Sequence, residues 1–264
     1  MQIVDKGLGP PLVLVPGIQG RWEYMQPSVD ALSKRFRVIT FSLCGERGSG
    51  LRFDPSRRLD NYTDQIVSAL DLCEIDRAAI CGVSFGGLVA IRFAAAHPSR
   101  CRALVLASTP RPGLSLRRKH QIYVRLPWLF GPLFIVETPW RLRDEIRAAL
   151  PDRRARRALR SRTLRTLLTA FPSVSRMAAR ARLLAATDLR RDCARITAPT
   201  LVVTGEPALD HVVPVEGSSE YTRLINGAHS AVLERTGHIG SITRPDAFAQ
   251  LVRAFVDEHH HAAA

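Results

Sequence analysis

The stretch Gly82-Val83-Ser84-Phe85-Gly86 sets one serine between two glycines, each two residues away. It follows the β-branched, apolar run AAICGVS (78 to 84) and precedes an apolar helical pattern from Phe85 to His97. A serine at so abrupt a strand-to-helix turn needs neighbours without side chains, which Gly82 and Gly86 provide, and the turn lifts the hydroxyl clear of the strand. The amide of Phe85, at the positive end of the new helix, then points to where an oxyanion forms when Ser84 attacks a carbonyl.

A serine hydroxyl is a weak nucleophile until a base takes its proton, so this reading requires a histidine and an acid downstream. His238 stands in Gly237-His238-Ile239-Gly240, just past the run SAVLERT (230 to 236). Asp210 stands in EPALDHVVP, after the run TLVVTG (200 to 205). Serine, aspartate and histidine in that order, each beyond the carboxyl end of a successive strand, converge on one sheet edge. Each has a plainer alternative. Ser84 could cap the helix that follows it. Asp210 could cap a helix near Val215, leaving Glu206, nearer the strand end, as the acid. His211 is the alternative base. His229 opens a strand and belongs at the opposite edge, His97 ends a helix before Pro98, and His120 lies in a helical insertion.

The elements that position these residues follow from periodicity. Strands are expected at 11 to 17, 37 to 43, 78 to 84, 102 to 108, 200 to 205 and 230 to 236, with QIV near the N-terminus as a further edge. Helices are expected over Glu23 to Lys34, Asn61 to Cys73, Phe85 to His97, Ser218 to Ile225 and Pro245 to Glu258. This alternation specifies an α/β fold with a mostly parallel central sheet and helices on both faces. It breaks once: residues 110 to 198 show only helical periods, interrupted at Pro127, Gly131, Pro132, Pro139, Pro151 and Pro172. The expected organisation is a core of residues 1 to 109 and 199 to 258, an all-helical cap of 110 to 198, and a tail or tag at 259 to 264. Within the cap, Trp128, Leu129, Phe130 and Phe134 are candidates to line a substrate pocket, because they fall in its most apolar stretch.

At 264 residues the chain has room for one large core. Its net charge of +14 is concentrated in residues 110 to 198, which hold 21 Lys+Arg against 6 Asp+Glu; the remainder holds 17 against 18. Only three of the 38 basic residues are lysine. No aromatic interleaving, zinc-finger spacing or RNP-type motif accompanies the charge, so nucleic acid is not an expected partner. The five cysteines are scattered, with no metal-ligand spacing, and are expected to be reduced. No membrane-spanning run and no signal-peptide pattern is present, so a cytoplasmic protein is expected, with a small-molecule ester-like substrate, no cofactor and no metal.

Together the motifs resemble those of the α/β-hydrolase superfamily, over nearly the whole chain outside residues 110 to 198. The resemblance makes Gly82 to Gly86 the nucleophile elbow, Asp210 and Pro214 the acid loop, and Gly237-His238 the base loop. It makes Pro16-Gly17-Ile18 the oxyanion loop after the third strand of the fold, so the amide of Ile18 joins that of Phe85. Gly45 to Gly50 resembles the glycine-rich loop after the next strand. The chain departs from the pattern in having Pro16 where histidine is usual, about two extra residues between Gly205 and Asp210, and a short N-terminus. The resemblance implies a serine hydrolase that cleaves a carboxylic ester or similar activated carbonyl through an acyl-enzyme. Lactonase, carbon–carbon bond hydrolase, perhydrolase and aminopeptidase chemistry use the same triad, and some members hold ligands with little turnover. Serine at the elbow argues against dehalogenase and epoxide hydrolase chemistry, which uses a carboxylate there.

Overall fold

The structure, a computed structural model, describes residues 1–116 and 118–261. Seven strands, β1 (Val4–Lys6), β2 (Pro11–Val15), β3 (Arg37–Thr40), β4 (Ala78–Val83), β5 (Cys101–Ala107), β6 (Thr200–Thr204) and β7 (His229–Val232), form one sheet. Their order is β1-β3-β2-β4-β5-β6-β7. Only β1, two residues later in the chain than the QIV edge expected, runs antiparallel to its neighbour; every other pair is parallel. The chain moves outward from β2 to β3 and then returns to the other side of β2 for β4. This leaves a crevice between the carboxyl ends of β2 and β4, the place where open α/β sheets bind ligands.

Core strands buried on both faces read as continuous apolar runs, since alternate residues face opposite ways. Val13 and Val15 of β2, Ile80 of β4, and Leu104 and Leu106 of β5 pack on one side. Leu12 and Leu14, Ala79 and Cys81, and Ala103 and Val105 pack on the other. The helices of the first half are α1 (Gln26–Leu32), α2 (Asp60–Leu72) and α3 (Phe85–Ala96). The first layer includes side chains of α2 and α3, such as Ile66 and Val89. The second includes Val29 of α1 and, from the C-terminal helix, Phe248 and Val252.

Between β5 and β6 about ninety residues intervene, and among the described ones none is a strand. They form α4 (Arg118–Arg125), α5 (Pro127–Arg141), α6 (Arg143–Ala149), α7 (Arg153–Thr169), α8 (Val174–Ala185) and α9 (Arg190–Cys193). The breaks expected at Gly131, Pro132 and Pro139 do not occur, because α5 runs through all three. Each proline forgoes one amide, but α5 is packed along α4 and α8, which hold its course. After β6 come two short helices, α10 (Val215–Ser219) and α11 (Tyr221–Leu224), in place of the single helix expected at 218 to 225. They are followed by α12 (Gly240–Thr243) and α13 (Pro245–His261). The last strand stops at Val232, short of the expected residue 236. Arg235 adopts φ of 58°, and Thr236 Oγ1 donates to the Leu233 carbonyl at 2.6 Å, turning the chain. No helix among the described residues is long and apolar enough to cross a membrane.

Candidate active site

Ser84 directly follows β4 and adopts φ 53° and ψ −118°, in the left-handed half of backbone space that costs a non-glycine residue about 1–3 kcal/mol. Two backbone bonds maintain it: its amide donates to Ala107 at 2.8 Å, and its carbonyl accepts from Gly87 at 2.9 Å. The flanking glycines serve close approach, as the spacing predicts. A Cβ on Gly82 would collide with the Gly86 carbonyl, and one on Gly86 with the Val15 carbonyl. Helix α3 therefore starts hard against the end of β2, and Gly17 in the loop beyond β2 lies against Ser84. The Phe85 amide opens α3, where backbone N–H groups have no intrahelical acceptor.

The histidine and the acid arrive on two loops held together by main chain. Leu233 donates to Thr204 at 2.8 Å, and Glu206 to Thr236 at 2.7 Å. A side chain on Gly205 would strike the carbonyl of Thr236, and one on Gly237 that of Leu209. This backbone-on-backbone packing places His238 Nε2 3.1 Å from Ser84 Oγ. On the other side of the ring, Nδ1 lies 3.5 Å from Asp210 Oδ2, a charge contact longer than a well-formed hydrogen bond. Asp210 is buried, and its Oδ1 accepts from the amides of Val212 at 2.9 Å and Val213 at 2.8 Å. Burial pushes its carboxyl up, but His238 and those amides outweigh that and hold it below the ordinary carboxylate range.

The alternatives separate on geometry. Glu206 Oε1 accepts from the Arg235 amide at 2.6 Å, so its carboxylate is committed to the loop. The extra residues between Gly205 and Asp210 form a turn, with the amides of Leu209 and Asp210 donating to the Glu206 carbonyl at 3.0 and 3.1 Å. His211 is exposed. Trp128 and Leu129, 76% and 67% exposed, face solvent rather than lining a pocket. They fall with Leu133 and Trp140 on the outer stripe of α5, which its helical period turns away from the molecule. Phe130 stacks on Tyr123 with ring centres 5.4 Å apart, and the Phe134 side chain lies outside those described. From the insertion, Leu116, Val124, Ala178 and Ala181 cluster with Ile18 in the loop that follows β2.

Two charged residues of the insertion were not singled out by sequence. Arg180 of α8 is fully buried and pairs with Glu46 at 2.8 Å. It also donates to the carbonyls of Ile18 at 3.1 Å and Cys44 at 3.4 Å. Glu145 of α6, also 0% exposed, accepts from the Ile239 amide at 2.8 Å, one residue from His238. A signal for Glu145 was present: with Leu142 and Ala149 it occupies the buried stripe of its helix, where an ordinary surface glutamate does not fall.

The sheet order, the turn at Ser84 and the facing histidine are those of an α/β hydrolase, and residues 10–245 match the α/β hydrolase fold family. The chain belongs to that family and is a hydrolase. It is 26% identical over 254 residues to "Putative carbamate hydrolase RutD" of Stutzerimonas stutzeri, spanning 92% of this chain and 90% of that one. Among solved structures it resembles the enol-lactonase of Burkholderia xenovorans, with a TM-score of 0.79, 25% identity, and coverage of 97% of this chain and 96% of the other. The esterase EaEST of Exiguobacterium antarcticum shares the fold, with a TM-score of 0.81 at 19% identity, over 97% and 94% of the two chains.

Proposed function

We propose that the chain is a serine hydrolase that cleaves a carboxylic ester or similar activated carbonyl through an acyl-enzyme. The observation that carries this reading is the 3.1 Å approach of His238 Nε2 to Ser84 Oγ, with Asp210 behind the ring. Asp210 favours the tautomer with the proton on Nδ1, which leaves Nε2 free to accept. As the Oγ–carbon bond forms, the serine proton passes to Nε2. The carbonyl oxygen becomes an oxyanion facing the amides of Ile18 and Phe85. Collapse breaks the bond to the leaving group, which takes the proton from the imidazolium. Water, deprotonated by the same nitrogen, then releases the acid and restores Ser84.

The helices between β5 and β6 form the cap, and Val124, Ala178 and Ala181 give the substrate a small apolar wall beside Ile18. A carbamate is the second reading, favoured by the name of the relatives, since it presents the same acyl carbon to the same nucleophile. The unpaired state of all five cysteines fits a cytoplasmic protein. The test is a fluorophosphonate probe on wild type and Ser84→Ala, followed by steady-state turnover of p-nitrophenyl esters of increasing acyl length, a lactone and an alkyl carbamate. Labelling that needs Ser84, with sustained ester turnover, is expected. Labelling without turnover would make the protein a ligand holder, and an unlabelled wild type would overturn the mechanism.

A further inference from the structure

Helix α6 sends one carboxylate into the loop that carries the candidate base. Glu145 is sealed from solvent. Its Oε1 takes the Ile239 amide at 2.8 Å, while its buried Oε2 has no hydrogen-bond partner among the described residues. An unsatisfied carboxylate oxygen costs more than an apolar side chain of that size would, so packing alone gives poor reason for glutamate here. What distinguishes the position is its surroundings. His238 lowers and Asp210 raises its proton affinity, so it shares an electrostatic field with both. Of the helices packed against α6, α12 has no titratable side chain. On α5, Glu137 is committed to Lys119 at 2.8 Å, and Arg141 closes the helix.

We propose that Glu145 is a positioning residue for His238: it grips the Ile239 amide from the inserted helices and places a second carboxylate, beside Asp210, near the imidazolium that forms as Ser84 attacks. The inserted helices thereby hold part of the machinery as well as covering it. This rests on reading His238 as the base. Burial pushes the carboxyl up to about 7, with the Ile239 amide among the groups opposing it.

Glu145→Gln separates the two contributions, because the amide oxygen still accepts from Ile239 but carries no charge. For this variant we expect an unchanged melting temperature at pH 5 to within a few degrees and unchanged KM. The kcat for p-nitrophenyl acetate at pH 8 should fall at least about tenfold, the value of one charge-assisted contact. Its acid limb should move to lower pH by up to about one unit, because a negative charge near the imidazolium is lost. Glu145→Ala should lose more, because the grip is gone as well; if it does not fold, the Gln variant decides alone. A Gln variant with wild-type kcat and an unmoved acid limb would overturn the proposal and leave Glu145 a packing residue. Fluorophosphonate labelling of wild type separates this from failure of the underlying reading: no labelling at Ser84 would sink the base assignment itself, whatever the Glu145 variants do.

Discussion

Replacing Arg180 with methionine should be among the most damaging single changes outside the candidate active site. The guanidinium and the Glu46 carboxylate are 0% and 1% exposed and 2.8 Å apart. Glu46 uses its other oxygen to accept from the Ser173 amide at 3.0 Å, at the start of α8. Methionine fills much of the same volume but leaves Glu46 buried without its counter-charge, and it strips a donor from the carbonyls of Ile18 and Cys44. Breaking a buried pair from one side costs about 3–5 kcal/mol, a fifth or more of the about 5–15 kcal/mol that holds a typical domain folded. Removing both charges removes the uncompensated one, so Arg180→Met with Glu46→Gln should recover about 2 kcal/mol or more of that loss. Urea unfolding of wild type, both single variants and the double variant, followed by circular dichroism, measures the coupling. A loss below about 1 kcal/mol in Arg180→Met, or a double variant equal to the sum of the singles, would show that the pair behaves like a solvated surface bridge.

Ser84→Ala should reduce ester turnover by about a millionfold with the fold intact, and adding His238→Ala should reduce it no further, because the two act as one unit; single-turnover kinetics on the purified variants checks both. Asp210→Asn should lose on the order of 10⁴-fold in kcat while Glu206→Gln loses little, and the reverse ranking would reassign the acid. Stability should also depend on Glu145. Its folded carboxyl titrates near 7 against 4.5 unfolded, so the folded state binds the extra proton and stability falls as pH rises between those values. The difference is on the order of 3 kcal/mol, so wild type should lose that much relative to Glu145→Gln between pH 4.5 and pH 8 in urea titrations. Gly237→Ala should separate the loops after β6 and β7, since its Cβ would strike the Leu209 carbonyl, and crystallography should show the His238–Ser84 contact lengthened.

The sheet was legible because its strands are buried on both faces and so stand out as unbroken apolar runs. The meeting of Ser84 with His238 was legible for a different reason: glycines at fixed offsets mark places where backbone must touch backbone, and these loops have little freedom elsewhere. Glu206 against Asp210 was not decidable from spacing, because the choice turns on where the Arg235 amide points, and that depends on a left-handed turn. Trp128 and Leu129 were misplaced because an apolar stretch in a two-sided helix says how much surface is greasy and not which stripe faces inward. Arg180 was hidden among the many charges of the insertion, and Glu145 was marked only by its place on the stripe of Leu142 and Ala149. A buried charge is recognised by its partner, and Glu46 and Ile239 lie far away in sequence.

Strands β5 and β6 are parallel hydrogen-bonded neighbours, paired from Leu104 with Thr200 to Ala107 with Val203, so the helical excursion leaves at the carboxyl end of β5 and crosses back to the amino end of β6. Closing such an excursion costs entropy that grows only with the logarithm of its length, about 0.6 kcal/mol for each doubling. The sheet is thus nearly indifferent to how many residues are spliced in, and insertions of other lengths could be grafted between Ala107 and Thr200 at little cost. The constraint on a graft lies elsewhere. It must bring a cation to Glu46 or let that carboxylate reach water, and it must offer an acceptor to the Ile239 amide. A donor segment chosen only for its length and helicity should fold onto the sheet poorly, and one chosen to meet those two groups should keep the core intact while exchanging the side chains packed beside Ile18.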